Sequence, residues 1–252
     1  NINKKGFKWT TDLQFTRNKN ELVSLDGSGA SSIEGKGQWY DVVAMTTEGR
    51  ALYQFYGYKV DGVYKDYNDL MSSAKPAGAI IGRTNTWIGD LKYKDISGPD
   101  GKPDGVIDAY DQTYIGNPFP KFTAGLTNTL TYKGFEFSLF LNMSYGNDVM
   151  NYNAINLTGM DNLYMNQLSD VQDRAKLGVV DGNKTYPCTV DGYNDQTGNP
   201  IEINNWYDDP SNVAVLNPDT KMPRAITGDP AGNKRISDRY IEDGSYIKIK
   251  PF

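Results

Sequence analysis

Residues 121–145 read KFTAGLTNTLTYKGFEFSLFLNMSY. Phe122, Ala124, Leu126, Leu130 and Tyr132 take the even positions, broken only by Asn128, while Thr123, Gly125, Thr127, Thr129 and Thr131 take the odd ones. A period of two predicts a β-strand. After Lys133-Gly134 the parity inverts. Phe135, Phe137, Leu139, Leu141, Met143 and Tyr145 now share one face, with Glu136, Ser138, Phe140, Asn142 and Ser144 on the other. A two-residue turn at Lys133-Gly134 requires that inversion and fixes the register: Tyr132 opposite Phe135, Leu130 opposite Phe137, Phe122 opposite Tyr145. One face is then apolar from end to end. The other pairs Thr131 with Glu136, Thr129 with Ser138 and Thr123 with Ser144, and is polar apart from Phe140.

From Phe122 to Tyr132 the strand rises roughly 33 Å, or about 25 Å along the normal at a tilt of about 40°, the height of the apolar band of an outer-membrane barrel. Soluble strands are usually shorter, about 5 to 6 residues. Aromatic residues stand at both edges of the band. Lipid is therefore the expected solvent of the apolar face; the competing reading is a hairpin from a soluble sandwich or lipocalin-like barrel.

Composition narrows the function classes. Eighteen Tyr and 26 Gly without long apolar runs point to turn-rich β structure, and no run reaches the 18 or more apolar residues of a membrane helix. Barrel strands hide their hydrophobicity by alternation, so that absence leaves a barrel open. A net charge of −5 without Lys/Arg clusters argues against nucleic acid. The single cysteine, Cys188, has no internal disulfide partner, and zero histidine removes the Ser-His-Asp triad, most zinc sites and the commonest general base. No Glu/Asp pair has a spacing that identifies a glycosidase acid and nucleophile. No enzyme activity is expected.

Taken in order, the chain repeats the hairpin's pattern twice. Phe7, Trp9, Leu13 and Phe15 alternate with Lys8, Thr10, Asp12, Gln14 and Thr16, predicting a strand over about 6–16. Ile241, Ile247 and Ile249 oppose Tyr240, Tyr246, Lys248 and Lys250, predicting another over about 239–250. The start has no apolar signal-peptide core, and strand patterning at both ends is what a chain taken from mid-protein would show. Between the strands lie two insertions, about 17–120 and 146–238. In the first, Glu21 to Leu25 is expected to extend the pairing, Asp26 to Gly37 reads as a Gly/Ser loop, Tyr53 to Tyr64 as short strands split by Gly57 and Gly62, and Tyr67 to Ala74 as one or two helical turns. In the second, Asp161 to Leu177 carries Leu168, Val171 and Ala175 at helical spacing, and Asp181-Gly182, Asp191-Gly192 and Asp208-Asp209-Pro210 mark turns. The fold class is all-β: an antiparallel transmembrane β-barrel segment with two long extracellular loops containing short helices. Barrels keep short turns inside and long loops outside, which puts both insertions on the exterior. Four strands cannot close, so the chain is expected to be part of a larger barrel.

These residues resemble the SusC/RagA-like TonB-dependent outer-membrane transporters. The matching stretches are Gly6-Phe7-Lys8-Trp9 with Asn18-Lys19-Asn20; Phe55 to Tyr64 (FYGYKVDGVY); Gly89 to Asp95 (GDLKYKD); Asp104 to Asp108 (DGVID) with Ile115 to Pro118 (IGNP); the hairpin with Ser144 to Asp148; and Ser237 to Tyr246 (SDRYIEDGSY). They run nearly the whole chain in the family's order and correspond to a late segment of the barrel. The resemblance implies import of oligosaccharides or peptides at the outer membrane of a Bacteroidetes-type bacterium, with a SusD-like surface lipoprotein and the TonB complex as partners. The plug and TonB-contact segments are not among these residues, and Pro251-Phe252 departs from the family's pattern. The alternative function is a secreted, calcium-stabilised carbohydrate-binding β domain.

One stretch suggests a cation. Asp104-Gly105-Val106-Ile107-Asp108-Ala109-Tyr110-Asp111 fits positions 5 to 12 of a calcium loop, with Gly at 6, the Val106 carbonyl at 7 and a carboxylate at 12. Asp100 falls at position 1 if the loop is ungapped, but Lys102 then takes position 3. Asp95 and Ser97 take positions 1 and 3 if Gly98 to Pro103 bulges out. The metal set is thus Asp95, Ser97, Asp100, Asp104, Val106, Asp108 and Asp111, holding a structural Ca²⁺; the other reading is a solvated Asp/Gly turn. Trp39, Tyr40, Trp87, Trp206 and Tyr207 lie in the insertions, where aromatic faces stack on sugars or simply pack the loops. Arg239, Glu242 and Asp243 are expected to form a strand-end charge cluster.

Overall fold

The 121–145 stretch folds as the alternation requires, in a computed structural model that describes residues 1–4, 6–25, 27, 31–39 and 41–251, the last by its backbone alone. In chain order the elements are β1 (Ile2–Lys4), β2 (Phe7–Thr16), β3 (Ser32–Lys36), β4 (Val42–Thr47), β5 (Gln54–Gly57), β6 (Val60–Val63), α1 (Tyr67–Ser72), β7 (Lys75–Pro76), β8 (Leu91–Tyr93), β9 (Val106–Ile107), β10 (Thr113–Gly116), β11 (Phe122–Tyr132), β12 (Phe135–Tyr145), β13 (Asp148–Met150), α2 (Ala154–Leu157), β14 (Leu177–Val179), β15 (Val213–Val215), β16 (Ile241–Asp243) and β17 (Tyr246–Pro251). The fold is all-β with antiparallel sheets, apart from the short parallel pair β7–β9. The chain divides into two units: Asn1–Tyr56, Tyr114–Met150 and Ile241–Phe252 form one, Gly57–Thr113 and Asn151–Tyr240 the other.

The first unit is built on a five-stranded sheet ordered β1-β2-β11-β12-β17. Its central hairpin has the register expected from the sequence, Tyr132 opposite Phe135, Leu130 opposite Phe137 and Phe122 opposite Tyr145. Lys133 and Gly134 both have positive φ (48° and 87°), the backbone that a two-residue turn needs to follow the strands' right-handed twist. The sheet is an open piece, edged by β1 and β17. A second sheet, β10-β5-β4-β3, packs Ala44 and Thr46 inward.

Several local expectations fail here. Ser32–Lys36, read as part of a Gly/Ser loop, is a strand pairing with β4, because Gly35 can lie flat against Ala44: a Cβ there would stand 3.1 Å from the Ala44 Cβ. Asp26, Ser28, Gly29 and Ala30 lie outside the described residues. Glu21 to Leu25 is not a strand; Leu22 ties back, donating to the Arg50 carbonyl and accepting from the Gly49 N–H, both at 2.8 Å, and the Leu25 N–H donates to the Glu48 carboxylate at 2.8 Å. The final strand begins at Tyr246, because Ile241–Asp243 pairs with Asp148–Met150 instead. Asp161 to Leu177 holds a 3-10 turn at Ser169–Asp173, and the helix of that region lies earlier, at Ala154–Leu157.

The second unit is drawn from both insertions. The parts of them that it contains share one hydrophobic core. Val63, Tyr64, Leu70, Trp87, Ile88, Leu91, Tyr93 and Ile107 from the first pack with Ala175, Tyr193, Ile203, Val213 and Val215 from the second. Trp87, fully buried, belongs to this core and is not a surface platform. At its centre Asp90, itself fully buried, takes both arms of Arg224 (2.8 and 3.0 Å), the Trp87 N–H and the Asn233 amide. Gly89 (φ 89°) lets the chain pass there, since a Cβ would press on Leu177, Ala175 and the Arg224 Cβ at 3.1 to 3.3 Å.

Candidate functional site

Two faces of the five-stranded sheet differ completely in chemistry. Side chains alternate across a pleated strand, so each register row belongs to one face. The apolar face consists of the rows Phe7–Tyr132–Phe135, Trp9–Leu130–Phe137, Thr11–Asn128–Leu139, Leu13–Leu126–Leu141–Ile249, and Phe15–Ala124–Met143–Ile247, closed by Phe122–Tyr145. Its residues stand open: Leu13 is 71% exposed, Phe15 63%, Ile247 66% and Ile249 63%. Soluble monomers rarely show contiguous apolar patches beyond a few hundred Å². Rings gather at both ends, with Phe7 6.5 Å from Tyr132 at one, and Phe15 and Tyr145 each 5.3 Å from Phe122 at the other.

The opposite face runs Lys8–Thr131–Glu136, Thr10–Thr129–Ser138, Asp12–Thr127–Phe140–Lys250, Gln14–Gly125–Asn142–Lys248 and Thr16–Thr123–Ser144–Tyr246. The Thr129 and Ser138 hydroxyls stand 3.1 Å apart, and the Tyr246 hydroxyl donates to the Asn142 side-chain Oδ1 at 3.3 Å. Both sequence exceptions have local reasons. Phe140, the one large apolar residue here, lies beside Gly125, covering backbone that lacks a side chain. Asn128, the one polar residue on the apolar side of β11, sits opposite Thr11 and accepts from its hydroxyl at 2.8 Å and from the Trp9 indole N–H at 3.1 Å. A polar group facing an apolar medium needs such partners.

The proposed calcium ligands are only partly brought together. Asp95, not Asp100, closes on positions 104 and 105, accepting their N–H groups at 3.3 and 2.6 Å, so the chain between Gly98 and Pro103 does loop out with a turn at Gly98 to Gly101. Asp104 accepts from the Val106 N–H and Asp108 from the Tyr110 N–H. Asp111, fully buried, accepts from Ile96, Ser97 and Asp108. Each carboxylate thus caps backbone near it. No three His, Cys, Asp or Glu side chains among the described residues stand close enough to share an ion. A calcium ion takes six to eight oxygens, and drawing them from Asp95, Ser97, Asp100, Asp104, Val106, Asp108 and Asp111 would require Asp95, Asp104, Asp108 and Asp111 to turn from the N–H groups they cap. The loop's evident work is to seat Ile107 in the core of the second unit.

The other candidates resolve individually. Trp206 and Tyr207 pack edge to face at 5.8 Å, with the Arg83 guanidinium 4.8 Å from the Tyr207 ring, and Tyr40 lies outside the described residues. Arg239 turns to the Thr158 hydroxyl (2.8 Å) and the Tyr240 ring, and Asp243 caps the Ser245 N–H (2.8 Å). Sequence reasoning missed the Asp90–Arg224–Asn233 centre; the left-handed Gly89 beside an acid was its only local signal.

No protein-family model matches the chain. Curated relatives do, all from Formosa agariphila. TonB-dependent receptor P3 is 29% identical over 99% of the chain, and TonB-dependent receptor P26 is 25% identical over 99%. TonB-dependent receptor P39 is 30% identical over 59%. The chain spans about a fifth of the length of P3 and P26, the two it matches end to end. Along practically its whole length the chain is similar to a segment of TonB-dependent receptors.

Proposed function

We propose that the chain is a stretch of barrel wall, with its external structure, from an outer-membrane transporter of the SusC/RagA type. The carrying observation is the sheet with one continuous, aromatic-edged apolar face and one polar face. In a bilayer the backbone of an open sheet cannot go unpaired, so β1 and β17 would continue into neighbouring strands of the complete receptor. The apolar rows would face lipid and the Thr-rich rows the lumen. Both insertions leave the sheet at the end opposite the Lys133-Gly134 turn, the outer side by the usual arrangement of short turns within and long loops without. The connections from β2 to β11 and from β12 to β17 would then leave the membrane on its outer side.

In this reading the protein binds and passes a substrate without transforming it, and these residues supply wall and vestibule while energy coupling resides elsewhere in the receptor. Resemblance to the SusC/RagA type supports oligosaccharides or peptides as cargo, a SusD-like lipoprotein at the outer face and the TonB complex at the inner. The test is to express the full-length receptor in a Bacteroidetes host, fractionate the membranes, and follow growth on a panel of glycans and peptides after deleting its gene. Heat-modifiable mobility in the outer-membrane fraction and loss of growth on one cargo are expected. A receptor soluble without detergent would refute the proposal.

A further inference from the structure

Beyond the apolar face, the first unit holds a cleft of about 670 Å³ that the transport reading leaves unused. It lies at the sheet end opposite the tight turn. Its lining includes Phe15 and Phe122, the stacked pair that ends the apolar face, and Phe119. Its rim carries Arg17, Lys19, Arg50 and Lys121 against one acid, Glu21. Lys19 pairs with that acid at 2.9 Å. Arg17 has no carboxylate within ion-pair distance among the described residues. Arg50 stands 4.1 Å above the Tyr114 ring, and the Lys121 ammonium 6.0 Å from the Tyr145 ring.

The walls are held in place. Leu22 ties the segment after β2 to Gly49 and Arg50, Asn20 accepts from the Leu52 N–H at 2.9 Å, and the Lys121 N–H donates to the Tyr145 carbonyl at 2.8 Å. The cations therefore stand on anchored chain just past the last ring of the apolar band. Two opposite chemistries meet there, an aromatic lining continuous with the lipid-exposed rows and a cationic rim. A soluble anion has no use for the first, and a neutral lipid none for the second.

We propose that this cleft binds a phosphate-bearing lipid of the outer leaflet, its headgroup against Arg17, Arg50 and Lys121 and its acyl chain along Phe15 and Phe122. The volume exceeds that of a bare phosphate and accommodates a phosphorylated sugar headgroup. Basic residues at a membrane surface attract anionic headgroups, and aromatic rings settle at headgroup level. The proposal rests on the membrane reading above, which sets the apolar rows in lipid.

The experiment uses the full-length receptor in neutral detergent. Native mass spectrometry would count retained lipid while diphosphoryl lipid A, glucosamine 1-phosphate or a phosphatidylcholine is titrated in. Lipid A should bind with a defined stoichiometry, and R17Q and K121Q should each weaken it about fivefold. K8Q, at the other end of the sheet on the polar face, should not. Heat-modifiable mobility, measured in parallel for every variant, reports whether the barrel forms. Loss of that mobility in the wild type would sink the membrane reading itself. A well-formed barrel that binds phosphatidylcholine as well as lipid A, or ignores both substitutions, would sink the lipid site alone. Glucosamine 1-phosphate binding as tightly as lipid A would make the cleft a site for soluble anions and overturn the proposal as stated.

Discussion

Replacing Leu139 by Arg separates a lipid-facing sheet from one covered by protein. Leu139 sits opposite Asn128, one residue from the middle of β11, so it stands about 3 Å along the strand from the expected bilayer midplane. An arginine on the lipid face there costs about 2 to 4 kcal/mol, falling to about 0 to 1 near the interface. Phe135, on the same face at the strand's end, is 81% exposed and should tolerate Arg within that lower range. Ser138 is adjacent to Leu139 but faces the other way; Arg there loses the 3.1 Å contact with Thr129, about 0.5 to 1.5 kcal/mol. A gap of about 2 kcal/mol between Leu139→Arg and either control is roughly thirtyfold in the folding equilibrium. Urea-titrated refolding of the full-length receptor into lipid vesicles, scored by electrophoretic mobility, measures it. Equal costs at Leu139 and Phe135 would show that depth in a bilayer does not matter, and equal costs at Leu139 and Ser138 that the two faces do not differ. Either result refutes the assignment of the apolar rows to lipid.

Four further expectations concern single contacts. Asn128→Leu, though more apolar, should destabilise the sheet by about 0.6 to 2 kcal/mol in the same refolding assay, because the Trp9 indole and Thr11 hydroxyl lose their acceptor; a stabilised variant would contradict this. Asp111→Ala should lower stability by about 2 to 3 kcal/mol by orphaning the Ile96 and Asp108 N–H groups, and calcium or chelator should shift neither protein's melting temperature. Calcium heat in calorimetry that vanishes in Asp104→Ala would instead restore a metal loop. Asp90→Ala should cost about 3 to 5 kcal/mol, since it strands the buried Arg224 guanidinium, and should show as exposure of Trp87 in fluorescence at reduced denaturant. Burial works against ionisation of Asp209, yet hydrogen bonds from Lys184, Ser211 and Tyr186 outweigh it and hold the carboxyl below its ordinary range. Its folded value lies under its unfolded one, so its contribution is complete above about pH 4 and is lost as the pH falls through the folded value. Trp87 fluorescence followed through acid titration should show a component that Asp209→Asn removes.

The hairpin was legible from residues 121–145 alone because alternation is local. Each side chain's face follows from its parity, and one inversion at Lys133-Gly134 sets all eleven pairs between β11 and β12. The structure sets β2 beside β11 and β17 beside β12, in keeping with the preference for sequential antiparallel neighbours. The exceptions were visible as residues but not as reasons, for Asn128 needs Trp9 and Thr11, which lie more than a hundred positions away. The second unit shows the limit most clearly. Its insertions carry no sustained period, and each looks like turns on its own. Their order arises when Asp90 meets Arg224, 134 residues on, and when strands as short as Leu91–Tyr93 and Val213–Val215 contribute to one core. The acidic loop turns on the same distinction. Its spacing fits a cation, but whether those carboxylates converge on an ion or cap backbone N–H groups depends on where the rest of the fold holds Ile96, Asp108 and Ile107. Sequence determined the faces of the sheet, since parity is a property of the strand itself; tertiary structure decided what the long connections are, because their stability comes only from burying side chains against partners far along the chain.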